Sequence, residues 1–119
     1  MKIPGPDHPI SIVENPKRIT VSFGGHKIAD TRNAILLHEA NYPGVNYIPR
    51  ADVDMSALER TEHSTTCPFK GDAAYYSIRL GDQAVDNVVW TYETPHPAVK
   101  QIESYLAFYP QHVTLSEEP

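Results

Sequence analysis

One cysteine and one tryptophan are all that the 119 residues contain of those two types. A lone thiol, Cys67, excludes an internal disulfide and any multi-cysteine zinc knuckle. Basic residues are scarce as well. Ten Lys and Arg stand against 15 Asp and Glu, a formal charge of −5 that disfavours binding to a nucleic-acid backbone. No run approaches the ~18 apolar residues of a membrane span. The opening Met-Lys-Ile-Pro-Gly-Pro lacks a signal peptide's apolar region. The expectation is a cytoplasmic protein with neither nucleic acid nor membrane as partner. No phosphate-cradling glycine loop or dinucleotide fingerprint occurs, and no cofactor is expected.

What is plentiful is proline, 11 residues, and tyrosine, 7 residues. The length suits one domain, large enough to bury about two-thirds of its unfolded surface. Four prolines fall in residues 1–17, which read as an extended surface arm anchored by Ile10, Ile12 or Val13. From Arg18 the pattern alternates: Ile19, Val21 and Phe23 lead into Gly24-Gly25, a two-residue hairpin turn. Ala34–Leu37 and Val45–Ile48 read as further strands, and Asp52 or Asp54 as the cap of one or two helical turns reaching Arg60. Thr65–Gly71 reads as a loop. Ala73–Leu80 and Ala84–Tyr92 form a second hairpin about Gly81-Asp82, with Tyr75 and Tyr76 on opposite faces. Pro97 suits the start of a short helix, a strand follows near Phe108–Leu115, and Ser116–Pro119 reads as a frayed tail. About seven strands without βα alternation predict a mainly β fold, a small antiparallel domain over 18–115 with one or two short helices.

Several groups could carry chemistry. Cys67 has His63 four residues before it and Lys70 three after, an arrangement that could hold a thiolate nucleophile, with burial as a small apolar residue the plainer reading. Six histidines lack the paired spacing of a zinc site, so no metal is expected. Asp52 and Asp54 could share a face and hold Mg²⁺, although helix capping fits them better. Tyr47, Tyr75, Tyr76, Trp90, Tyr92, Tyr105, Phe108 and Tyr109 are interspersed with Arg50, Lys70 and Arg79; the apolar bodies and polar tips of Tyr and Trp suit a small-ligand cleft as well as a core.

The stretches Val45–Arg50, Thr66–Gly71, Tyr76-Ser77, Trp90–Tyr92 and Ala107–Tyr109 resemble, in order and spacing, the bacterial and fungal family called domain of unknown function 427, or NTP_transf_9. The resemblance runs from about Arg18 to Val113. It implies a small mainly β domain similar to the β-tent architecture, whose relatives often hold zinc through two cysteine pairs that are lacking here. It marks Tyr47, Arg50, Cys67, Lys70, Gly71, Tyr75, Trp90 and Tyr92 as site positions. The leading expectation is a domain binding an unknown small molecule, anionic or carbonyl-bearing, through an aromatic and basic cleft. The alternatives are an enzyme with Cys67 as nucleophile and His63 or Lys70 activating it, a nucleotidyl-transferase-like activity as the label suggests, and a protein-interaction module built on the arm, which leaves room for a homo-oligomer.

Overall fold

A computed structural model describes residues 1–119, and ten strands account for most of the chain. The Gly24-Gly25 hairpin is formed: both glycines have positive φ, +56° and +80°, and join β2 (Arg18–Phe23) to β3 (His26–Thr31). The second predicted hairpin is also present, between β7 (Gly71–Leu80) and β8 (Gln83–Tyr92), with Gly81 at φ +57°. Three antiparallel sheets result. They are ordered β1-β4-β5, β10-β2-β3 and β6-β7-β8-β9, where β1 is Ile10–Asn15, β4 Ala34–Glu39, β5 Val45–Tyr47, β6 Leu58–Cys67, β9 Leu106–Phe108 and β10 Thr114–Glu118.

The β6-β7-β8-β9 sheet is the middle layer. Side chains alternate across a strand, so each of its faces supports a separate core. On one face Tyr76, Ile78, Val89 and Phe108 pack with Ile19 and Val21 of β2 and Ile28 of β3. On the other, Tyr75, Tyr92 and Ala107 pack with Leu37 of β4, Tyr47 of β5, and Val99 and Ile102 of a 3₁₀ segment, Pro97–Ile102. Tyr47 and its neighbour Ile48 divide between the two cores, and Ile48 exchanges backbone hydrogen bonds of 2.8 Å with Leu106. That exchange ties β5 to β9. The middle sheet is bent by irregularities between Arg60 and Ser64 and between Tyr76 and Ile78, where Asn87 takes φ +54°. Ser77 Oγ accepts from the Asn87 amide at 3.0 Å there, and Thr61 donates to the Asn87 side chain at 2.6 Å.

Four sequence expectations need correcting. Residues 10–15 of the supposed arm are a strand, because the flanking Pro9 and Pro16 leave the backbone between them free to pair with β4. The supposed loop at 65–67, and much of the stretch before it, belongs to β6, an edge strand whose outward charges hide any periodicity; only Pro68–Lys70 turn. The helical turns preceding it shrink to 3₁₀ pieces, Arg50–Asp52 and Met55–Ala57, the second capped by Asp54, which accepts from the Ser56 amide at 3.1 Å. The strand expected at 108–115 is broken at Pro110, and the supposed frayed tail is β10, with Glu118 opposite Arg18. All of β10 is exposed, so hydropathy carries no trace of it.

Replacing Ile78, fully buried at the bulge, with Ala should lower unfolding stability by about 2–5 kcal/mol. Val13→Ala, at a half-exposed edge position, should change it by less than about 0.5 kcal/mol. Urea midpoints at constant m-value read both.

Candidate functional site

The pairing of β7 with β8 sets Tyr75 opposite Trp90 and Ala73 opposite Tyr92, so these side chains share one face. β4 and β5 cover that face, bringing in Leu37, Val45 and Tyr47. Between them lies a cavity of about 210 Å³ that Glu39, Lys70 and Tyr109 also line. Of the residues singled out by sequence, Tyr47, Lys70, Tyr75, Trp90 and Tyr92 converge here.

The tyrosine hydroxyls have different partners. Trp90 Nε1 donates to Tyr47 Oη at 3.2 Å, with the rings edge-on at 6.3 Å. Tyr75 Oη and Thr65 Oγ1 are 2.9 Å apart. Tyr92, 5% exposed, has a hydroxyl with no protein partner. Burial pushes the Tyr47 and Tyr92 phenols far above the ordinary value of 10.0. Tyr109 is pushed up to about 12, first by burial and then by its hydrogen bond to Tyr75. All three therefore stay neutral through the physiological range.

Charge enters at one end only. Lys70 Nζ donates to Glu39 Oε1, and His8 Nε2 lies 2.7 Å from Glu39 Oε2. The Lys70 and Glu39 side chains are only 12% and 13% exposed. Burial works to raise the Glu39 pKa, but the Lys70 and His8 hydrogen bonds outweigh it and hold the carboxyl below its ordinary 4.5. Lys70 Nζ also sits 5.9 Å over the Tyr92 ring. Gly71 enables the turn that aims Lys70: its φ is +112°, and a Cβ there would stand 3.4 Å from both His96 Cδ2 and the Thr94 carbonyl oxygen.

The first eight residues cross this end. The Lys2 amide donates to the Pro68 carbonyl at 2.8 Å, and the His8 ring stacks on Phe69 at 3.9 Å, within 5° of parallel. Glu39 is thus shared between the cleft and the crossing segment.

Other sequence candidates lie elsewhere. Arg50 is exposed on the opposite side of the middle sheet, where its guanidinium donates to Tyr76 Oη at 3.1 Å. Cys67 is half-buried beside the aromatic core and does not line the cavity. The exposed His63 ring packs edge-on against Tyr75 at 4.5 Å. Asp52 accepts from Thr31 Oγ1 at 2.7 Å, while Asp54 serves as the 3₁₀ cap. No group of three or more His, Cys, Asp or Glu side chains is gathered. Sequence reasoning missed Glu39, although the period of two from Ile35 through Leu37 would have pointed it into the cleft. Tyr109, counted among the cleft-forming aromatics but not among the marked site positions, reaches the cleft from beyond β9 and follows no strand period.

Because Glu39 has a lowered folded pKa, the stability it supplies is present above pH 4.5 and lost as the pH falls through its lower folded value. Lys70→Met, which strips Glu39 of its main partner, should cost about 1–3 kcal/mol at pH 7. The penalty should shrink as the pH is lowered and the carboxyl, without Lys70 to hold its charge, protonates. Urea midpoints against pH, with carboxyl carbon-13 shifts of Glu39 tracking its protonation, check both statements.

No helix is long and apolar enough to cross a membrane. No match is found among the curated proteins. The family model described as a domain of unknown function (DUF427), NTP_transf_9, matches residues 11–118, from within β1 to the last residue of β10. With nearly the whole chain matched, the protein belongs to the DUF427 family.

Proposed function

We propose that the protein is a small-molecule-binding domain whose site is the cleft between β4-β5 and β7-β8. The observation that carries this reading is the convergence of Tyr47, Tyr75, Trp90, Tyr92 and Lys70 on one cavity. Ligand pockets combine apolar walls with a few convergent polar groups, and this cleft has both. Its size of about 210 Å³ suits a metabolite fragment and not a polymer. The anionic ligand suggested by the basic residues finds less support, because Lys70 is already matched by Glu39 and Arg50 stands on the far side of the sheet. A carbonyl-bearing or hydroxyl-bearing ligand fits better. The net charge of −5 and the lone cysteine suit work in a reducing cytoplasm, away from nucleic acid.

An enzyme reading with Cys67 as nucleophile would need an activating group at the thiol. Lys70 is engaged by Glu39 and His63 packs on Tyr75, so neither favours it.

Trp90, the sole tryptophan, lines the cleft and reports on it directly. Screening a metabolite and nucleotide panel should yield a compound that changes Trp90 emission and raises the melting temperature together. Stabilisation should reach about 2.7 kcal/mol at a hundredfold excess over Kd. A panel that leaves both signals unmoved contradicts the reading.

A further inference from the structure

We propose that the ligand of this cleft has two parts: a hydrogen-bond-accepting end that meets the Tyr92 hydroxyl, and a flat apolar body lying in a wider chamber beyond Trp90, the whole carrying no net charge. This rests on the binding reading above and names the ligand's chemistry.

The wider chamber, about 520 Å³, adjoins the inner cavity, and the two share Tyr42, Pro43, Val45, Trp90 and Tyr109. Trp90 and Tyr109 pack at 4.6 Å and stand where the cavities meet. Beyond them the walls are Ile48, Phe108, Pro110 and Leu115, and no charged side chain lines the chamber. A polar cavity and a more apolar one therefore adjoin across Trp90 and Tyr109.

Tyr92 fixes what the polar end wants. Of the three tyrosines at the base of the cavity, Tyr47 bonds to Trp90 and Tyr75 to Thr65, while the Tyr92 hydroxyl has no protein partner. This free donor faces the cavity, and a ligand carbonyl or ether oxygen can take its hydrogen bond there in place of water. Lys70 and Glu39 exclude a net charge, since each already holds its counter-ion and a further buried ion would have none. Apolar area on Trp90 and Leu115 supplies the remaining affinity.

Three probes separate the parts: acetophenone, 2-acetylnaphthalene and 2-naphthoate, titrated into the full chain while the Trp90 indole and the backbone amides of Ile48 and Leu115 are followed by NMR. We expect 2-acetylnaphthalene to bind at least about tenfold tighter than acetophenone, and 2-naphthoate to bind more weakly than the ketone. Tyr92→Phe should weaken both ketones about threefold to tenfold. Leu115→Asp, on the exposed wall of the outer chamber, should weaken only the naphthyl ketone. Equal affinity of the two ketones, tighter binding of the naphthoate, or an unaffected Tyr92→Phe variant overturns the two-part ligand. If acetophenone still binds at Trp90 in those cases, the cleft reading survives. No indole shift with either ketone also overturns the two-part ligand, and the metabolite panel then decides the cleft reading alone.

Discussion

The ladder between β7 and β8 holds Tyr75 against Trp90 and Ala73 against Tyr92, and that register decides what each face of the middle sheet is for. Side chains alternate with a period of two, so a slip by one residue would send Tyr76 and Val89 into the cleft and the cleft aromatics into the aliphatic core. The register is well specified because both faces are buried. Ile78, Val89 and Phe108 have an aliphatic partner layer from β2 and β3, whereas Tyr75 and Tyr92 meet Leu37 and Tyr47. One face is sealed with branched aliphatics; the other is built from large rings that leave space between them and keep hydroxyls within it.

The charged end of the cleft depends on the same frame. β4 carries Glu39 at its last position, and the turn before Gly71 carries Lys70, so sheet packing brings a carboxylate and an ammonium together where both are largely desolvated. Such a pair contributes little net stability, but losing either member is costly. His8 adds a second hydrogen bond to Glu39 and brings the N-terminal segment across that end. The cleft is therefore dipolar at one end and neutral elsewhere, which explains why counting basic residues among aromatics overstated its positive character.

Much of the frame was legible in the sequence. Gly24-Gly25 and Gly81-Asp82 mark turns that only certain backbone conformations satisfy, and the alternation around them places Tyr75 and Tyr76 on opposite faces. The same alternation could have separated Arg50 from the cleft, had its partner been known to be Tyr76. What stayed hidden were strands whose pairing does not depend on buried side chains. β10 is exposed throughout, and β6 holds the sheet edge with Glu59, Arg60 and Glu62 turned to solvent. Proline density misled at β1, because Pro9 and Pro16 flank a pairing segment and do not interrupt it. Glu39 and His8 meet across 31 positions of sequence, a proximity that no local pattern encodes.

The central claim is that the sheet register builds a preformed cleft of buried, neutral phenols. The measurement that bears on it most directly is a pH titration of the tyrosine ring carbons by carbon-13 NMR. The account predicts that Tyr109 ionises at about 12 and that Tyr47 and Tyr92 stay protonated until the fold itself is lost. Ionisation of Tyr47 or Tyr92 near the ordinary phenol value of 10.0, with the fold intact, would contradict it.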